Sequence, residues 1–184
     1  DGTPLDAAAV KFNLERSMTH PRSNVQSDLA SVESVEVSGP HQVTLRLKHE
    51  NYSLPTILTG RAGCMVSPAS IQAAEDGNVD RAPVGTGPFK FIEWRDNDLI
   101  RGEKNPQYWQ AGLPYLDCID FRIINELNTG ARTVGAGESD LALNLAAQQI
   151  ATNQRNSDLV AEAKPSMIFF SLMLNFAKAP LDDV

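Results

Sequence analysis

The chain has 184 residues, 42% of them hydrophobic, and a formal net charge of −7 at pH 7. This length is sufficient for one large or two small domains with a buried core. The acidic balance argues against a nucleic-acid partner, because such proteins neutralise phosphates with a face rich in Lys and Arg. No apolar run approaches the roughly 20 residues that span a bilayer, and the acidity is best explained as solvated surface charge.

The first part of the chain predicts a helix followed by a hairpin. Residues 6–18 carry apolar side chains at helical spacing behind Asp6, a favourable N-cap residue. Apolar and polar residues then alternate at 35–37 and 43–48, on either side of a Gly-Pro turn. This alternation is typical of two antiparallel strands joined by a tight turn.

Three short elements are expected next. Residues 53–58 predict a helix with a proline in its first turn. A brief strand is expected at 64–66, and a helix at 68–75 capped by Ser67. Arg61 is the one cation in the otherwise small and apolar stretch that leads into this strand.

Two glycines and two prolines then fall within residues 83–88. Glycine takes positive φ at little cost, whereas proline fixes φ and lacks a donor, so this segment should follow one tight path. A strand with apolar residues on both faces follows at 89–94. A nucleotide-binding loop is disfavoured because its glycine motifs are missing and no helix begins here. The segment is therefore predicted to be a structural crossover between two packed units.

Strands and helices alternate beyond this segment. A hairpin turn at 96–98 leads into a second strand, and residues 119–124 predict a buried strand. A helix is expected at 127–136, which Gly130 and Gly135 weaken by about 1 kcal/mol each. The remaining predicted elements are strands at 141–145, 159–163 and 167–174 and a helix at 146–154. Strands separated by helices favour parallel pairing.

Several motifs carry a resemblance to a known family. They are DGTPLD at 1–6, VGTGPF at 84–89, KNPQYW at 104–109, PYLD at 114–117 and AGESDL at 136–141. With these motifs the chain resembles the family 5 extracellular solute-binding proteins, the peptide- and nickel-type receptors of ABC importers. Trp109 and Tyr115 belong to the motifs and are predicted to anchor the core. The chain departs from the family at Gly130, where an arginine is typical.

The resemblance implies a fold of class α/β with α+β. It predicts a periplasmic-binding-protein-like type II lobe, with a mixed sheet flanked by helices, and a smaller α+β subdomain. Residues 1–82 would form the extra subdomain and residues 83–184 part of the first α/β lobe. Because the chain shows no initiator Met or signal segment and stops where the family begins another helix, we interpret it as an internal fragment without the second lobe.

The resemblance further implies that the protein is the substrate-binding component of an ABC importer. Its ligand would be a small molecule or peptide, an oligopeptide in the first place, enclosed between two lobes and delivered to the permease subunits. A metal chelate, a sugar or an opine-like compound stays open as the ligand. A periplasmic or extracellular monomer is expected that contacts the membrane only through the transporter, or through an anchor of the full-length protein. No cofactor and no nucleic-acid partner are predicted.

Four residues are candidates for the ligand-binding wall. An arginine such as Arg61 can bind a peptide carboxylate through two parallel hydrogen bonds, although most arginines are simply exposed. Cys64 and Met65 offer soft, adaptable wall atoms, with strand packing as the alternative. In the family, the strand at 64–66 and the end of the last strand at Asn175 approach the ligand cleft.

Catalytic and metal-binding motifs are absent from the sequence. The three histidines lack the spacing of helical ligands, and Cys64 and Cys118 stand apart, either paired or free. Adjacent carboxylates at 75–76 and 182–183 point away from each other along an extended chain. We therefore predict that the protein is not an enzyme. A carboxylate-dependent hydrolase and a non-transport interaction module are the alternatives.

Overall fold

The computed structural model describes residues 1–74, 79–164 and 177. The chain divides into two compact units, Asp1–Ile123 and Ile124–Val184. The predicted boundary between residues 82 and 83 falls inside the first unit, between its two sheets. As a domain boundary it stays a prediction.

The first unit opens with a capped helix and a hairpin, as predicted. Helix α1 spans Ala7–Thr19, and the Asp6 carboxylate before it accepts a hydrogen bond of 2.8 Å from the Ala9 amide. Strands β1 (Val32–Gly39) and β2 (Gln42–Leu47) pair antiparallel in a two-stranded sheet. Local signals were sufficient here because both the cap and the alternation act over a few residues.

The core of the first unit lies where α1 packs on this hairpin. Leu29 and Val35 are 1% exposed and Val32 is 2% exposed, so the loop after α1 and the inner face of β1 supply its centre. Two short helices, α2 (Leu54–Ile57) and α3 (Pro68–Ala73), and a 3₁₀ helix at Arg61–Gly63 complete this layer. The cluster is made up of Leu14, Val25, Leu29, Val32, Val35, Leu54 and Ala62.

The strand predicted at 64–66 is wrong. The Val66 backbone bonds to a helix side chain and not to a neighbouring strand. Its amide donates to Asn13 Oδ1 at 3.0 Å, and its carbonyl accepts from Asn13 Nδ2 at 2.8 Å. A local pattern cannot show this partner because it lies 53 residues earlier in the chain.

The second sheet of the first unit has three antiparallel strands in the order β3-β4-β5. These are β3 (Phe89–Arg95), β4 (Leu99–Lys104) and β5 (Cys118–Arg122). The β3–β4 turn was predicted, and Asn97 adopts φ +56° within it. The predicted buried strand at 119–124 is wrong in its burial, since every side chain of β5 except the half-buried Ile119 is exposed. Among the described residues, β5 has one neighbouring strand, so it forms an edge of the sheet.

One face of this sheet carries a charge cluster. Cross-strand register aligns Glu93, Arg101 and Asp120. The Arg101 guanidinium donates two hydrogen bonds of 2.7 and 2.6 Å to the Asp120 carboxylate and lies 3.7 Å from Glu93. These contacts lower the pKa of Asp120 and raise the pKa of Arg101.

The second unit contains two helices in its described part. Helix α4 spans Leu127–Gly135 and α5 spans Ala147–Asn153, both as predicted. The Gln149 side chain donates a 2.7 Å hydrogen bond to Asn128 Oδ1 and joins them.

The strands predicted at 141–145 and 159–163 are wrong. Leu141 and Leu143 are 72% and 71% exposed and Val160 is 90% exposed, and no described strand lies beside them to complete a ladder. All pairings among the described residues are antiparallel, so the expected parallel pairing is not found there. The strand predicted at 167–174 lies outside the described residues.

Candidate functional site

A cavity of about 680 Å³ opens in the first unit. Three stretches of the chain surround it: the first residues before α1, the glycine-proline segment 83–88 with the start of β3, and the loop after β4. The residues lining it are Asp1, Gly2, Thr3, Leu5, Pro83, Val84, Gly85, Thr86, Gly87, Phe89, Lys90, Phe91, Asn105, Gln107 and Trp109. Small-molecule sites usually measure about 300–1,000 Å³, so this space is large enough for a ligand.

The glycine-proline segment forms one wall and is held at both ends. Near its start, the Ser67 amide donates a hydrogen bond of 2.8 Å to the Val84 carbonyl. At its end, Asn105 donates to Gly87 O from the side chain at 3.2 Å and to Pro88 O from the backbone at 2.8 Å. The single tight path predicted from sequence agrees with these contacts. No phosphate-binding helix terminus follows the segment, because β3 begins at Phe89. The predicted crossover between two packed units stays a prediction.

Aromatic side chains also line this cavity. Phe89 and Phe91 are half-buried, whereas Trp109 is 72% exposed and lies against Tyr108 with ring centroids 5.6 Å apart. Trp109 and Tyr115 were expected to anchor the core, and this is wrong since Tyr115 is 86% exposed. A sequence motif shows that these aromatic residues lie in turns, but it does not show whether their rings are buried or exposed.

The polar side chains that line this cavity are those of Asp1, Thr3, Thr86, Lys90, Asn105 and Gln107. Lys90 is exposed, and no carboxylate in the described ranges lies within ion-pairing distance of it. Gln107 is also exposed, and Asn105 is half-buried. Phe89, Phe91 and the Lys90 ammonium suit a small solute that carries both apolar and negatively charged groups. The Asp1 carboxylate at the same cavity already accepts hydrogen bonds from Thr3 and Ser67. Sequence reasoning missed Lys90, Phe89 and Phe91 because alternation alone does not show which strand face borders a cavity.

Arg61, Cys64 and Met65, the predicted ligand residues that the structure describes, do not line this cavity. Arg61 begins the 3₁₀ helix and is exposed, with no ion pair to any described carboxylate. Cys64 is exposed, and its thiol contacts Gly60 O at 3.8 Å. Met65 packs against the core and lines a space of about 30 Å³ that shares Val84 with the main cavity. Asn175 lies outside the described residues, and the assignment of all four stays a prediction.

The thiols and the remaining titratable groups suggest no second centre. Cys64 and Cys118 are both free and exposed. Within residues 1–74, 79–164 and 177, no three His, Cys, Asp or Glu side chains are grouped so that they could hold a metal ion. None of the helices described in these ranges is both long and apolar enough to cross a membrane.

The model of the bacterial extracellular solute-binding proteins, family 5 middle, matches residues 1–184. The chain belongs to this family. The glutathione-binding protein GsiB of Escherichia coli (strain K12) is 32% identical over 187 aligned residues, which cover the whole of this chain and 36% of GsiB. The chain thus spans about a third of the length of the curated relatives it matches.

Two solved structures of binding proteins share the fold. AgaA from A.tumefacien R10, in complex with agropinic acid, is 27% identical with a TM-score of 0.76 and covers 85% of this chain and 32% of its own. MoaA from A.tumefacien R10, in complex with mannopinic acid, is 24% identical with a TM-score of 0.80 and covers 97% and 36%. The predicted periplasmic-binding-protein-like fold class, α/β with α+β, is confirmed by this likeness.

Proposed function

We propose that this chain is part of the substrate-binding component of an ABC importer, with an oligopeptide as its solute. The observation that carries the proposal is the cavity of about 680 Å³ at the glycine-proline segment. The chain belongs to family 5, and the whole of it aligns with a glutathione-binding protein at 32% identity. Glutathione is a short peptide with more than one carboxylate. A site that combines half-buried phenylalanines with the exposed ammonium of Lys90 suits this class of solute.

Lys90 and Trp109 are the residues of this chain that we expect to contact the solute first. An exposed ammonium can pair with a carboxylate, and an exposed indole at the rim can cover an apolar side chain. Arg61, Cys64, Met65 and Asn175 remain proposed ligand contacts.

Enclosure by a second lobe would complete the site. The cavity is partly open to solvent, as expected for half of a site that closes around its ligand about a hinge. Closure would bury the solute and present a changed surface to the permease subunits of the transporter. We propose a periplasmic or extracellular monomer that meets the membrane through the transporter, or through an anchor of the full-length protein. No catalytic role and no cofactor are proposed.

A second solute class has one observation in its favour. AgaA, a binding protein in complex with agropinic acid, is 27% identical over 85% of this chain. Its ligand is a small anionic compound, and Lys90 could pair with such a compound as readily as with a peptide carboxylate.

Native mass spectrometry of the intact protein, purified from its own host, tests the proposal. A co-purified solute with the mass of a di- to pentapeptide is the expected result. Isothermal titration with glutathione, a dipeptide mixture and agropinic acid then compares the two solute classes directly. A protein that carries no solute and gives no binding heat with any of the three would overturn the proposal.

A further inference from the structure

Asn13 is a buried amide in the middle of a helix. It lies near the centre of α1, and the residue is 4% exposed. Asparagine is less favourable than alanine or leucine in a helix interior, and a buried amide without partners is costly. Its presence at this position therefore calls for hydrogen bonds that an aliphatic side chain could not make.

The Asn13 amide makes three such bonds, all to backbone groups. Nδ2 donates to Ala9 O at 2.9 Å and to Val66 O at 2.8 Å, and Oδ1 accepts from the Val66 amide at 3.0 Å. The two bonds to Val66 satisfy both its amide and its carbonyl, as a paired residue in an antiparallel ladder would. Asn13 thus replaces the missing strand partner of the segment around Val66.

This anchored segment leads directly to the cavity wall. Val66 stands between Met65, which packs against the core, and Ser67, which caps α3. The Ser67 amide in turn donates a 2.8 Å hydrogen bond to Val84 O, and Val84 lines the cavity of about 680 Å³. A continuous set of backbone bonds therefore links the core helix to the candidate site.

We propose that Asn13 is a positioning residue for the ligand-binding wall. Its amide fixes residues 65–67 on α1 and, through Ser67, fixes Val84 at the cavity. The effect on ligand affinity rests on the proposed function, whereas the effect on the position of these residues does not. A replacement of the same shape that loses the two donors therefore tests whether these bonds hold the segment in place.

Asn13→Asp is the replacement of the same shape. An ionised aspartate can still accept from the Val66 amide, but it cannot donate to Val66 O or Ala9 O and faces those carbonyls with negative charge. A protonated aspartic acid donates one hydrogen bond and accepts another, which restores the ring with Val66. Burial raises the pKa of such a carboxyl, so mild acid should restore the contact. All partners of the amide are backbone groups, and no titratable side chain of the described residues bonds to it.

Hydrogen exchange on the intact, ligand-free protein measures how well each backbone amide of this segment is protected. At pH 7 we expect Asn13→Asp to lower the protection factors of the amides of residues 66, 67 and 71 by about tenfold or more, while those of the β1–β2 hairpin change less than about threefold. At pH 4.5 protection should return to near the wild-type value measured at the same pH. Ser31→Ala is the matched control, because Ser31 is also buried, at 5% exposed, and bonds to Asn51 rather than to this segment.

The outcomes separate this inference from the proposed function. Uniform loss of protection across the first unit, or loss at residues 66 and 67 that acid does not reverse, would overturn the positioning role. If Asn13→Asp does not fold at pH 7, Asn13→Ser replaces it, and the same local loss without the return in acid is expected. Both proteins are then titrated with glutathione at both pH values. We expect the Kd of Asn13→Asp to be about tenfold higher than that of the wild type at pH 7 and unchanged at pH 4.5. If glutathione does not bind even the wild type, this result counts against the proposed function. The hydrogen-exchange result still decides the role of Asn13.

Discussion

The backbone amide of Ser67 donates a 2.8 Å hydrogen bond to the carbonyl of Val84, which connects the start of α3 to the wall of the cavity. The Ser67 hydroxyl also accepts from the Ser70 amide as the cap of α3, lies 3.3 Å from Thr3 Oγ1, and donates to the Asp1 carboxylate. One residue therefore joins three stretches that are distant in sequence. The glycine-proline segment is thus hydrogen-bonded, at Val84, to the residue that caps α3.

Trp109 should contribute to solute binding without contributing to folding. The side chain lies at the rim of the cavity and is 72% exposed, so its removal takes little packing from the core. We expect Trp109→Ala to weaken the binding of glutathione by about 1–2 kcal/mol, roughly tenfold in Kd. Isothermal titration gives the affinity, and urea unfolding should give an unchanged free energy.

Tyr115→Ala is the control for this replacement. Tyr115 is an aromatic residue of similar exposure, 86%, that does not line the cavity. The two variants should differ in affinity and agree in stability. Equal loss of affinity in both would show that the cavity beside Trp109 is not where the solute binds.

Local chemistry made much of the first unit predictable. The caps Asp6 and Ser67, the alternation in β1 and β2, and the turn at Asn97 are signals that act within a few residues. The tight path of the glycine-proline segment was also predictable from local signals. Proline fixes its own φ, and glycine permits a positive φ, whatever the rest of the chain does.

The failures all concern partners distant in sequence. Residues 64–66 are three apolar residues that were predicted to form a strand, but the partner of Val66 is the side chain of Asn13. Residues 141–145 have the composition of a strand, but Leu141 is 72% exposed and no described strand lies beside it. Burial and pairing depend on which surfaces meet, and the pattern within a single segment does not contain that information.

Gly63 should not tolerate a side chain. A Cβ atom built at Gly63 would lie 1.9 Å from the Leu58 carbonyl oxygen and 2.8 Å from its carbon, and neither backbone atom can move without shifting α2. We expect Gly63→Ala to lower the free energy of unfolding by about 3 kcal/mol, at the upper end for overpacking. The displaced turn should also alter the reactivity of the exposed Cys64 thiol towards a maleimide probe.

Gly60→Ala is the matched control for Gly63→Ala. A Cβ at Gly60 meets the Ile57 carbonyl oxygen at 3.4 Å, an ordinary contact, in the same turn. Its stability should stay within about 0.5 kcal/mol of the wild type. If both variants unfold at the same urea concentration as the wild type, the close approach of Gly63 to Leu58 is not maintained in solution.

Gly130 offers the opposite case, a glycine whose replacement should stabilise. It lies inside α4, and no described atom outside the helix backbone comes within 4 Å of an added Cβ. Alanine is about 1 kcal/mol more favourable than glycine in a helix interior, so Gly130→Ala should raise the stability of α4 by up to that amount. Gly137→Ala is the comparison, because Gly137 has φ +73° just after the helix and should lose stability on the same change. Thermal unfolding monitored by circular dichroism would contradict this if the two variants shifted Tm in the same direction.

The stability of α4 should also depend on pH through its cap, Glu126. The Glu126 carboxylate accepts hydrogen bonds from the Thr129 hydroxyl and amide, each at 2.7 Å, and from the Asn128 amide at 3.0 Å, and these bonds lower its pKa from the usual 4.5. A carboxyl group whose pKa is lowered on folding contributes stability above its unfolded pKa and loses it as the pH falls through the folded value. Hydrogen exchange should therefore show constant protection of the Gly130 and Ala131 amides at pH 6 and above, and a decline below about pH 4.5. Glu126→Gln, which stays neutral, should be less protected at pH 6 and should lack this decline, whereas Glu138→Gln after the helix should behave like the wild type. A decline of the same size in Glu126→Gln would assign the pH dependence to another carboxylate.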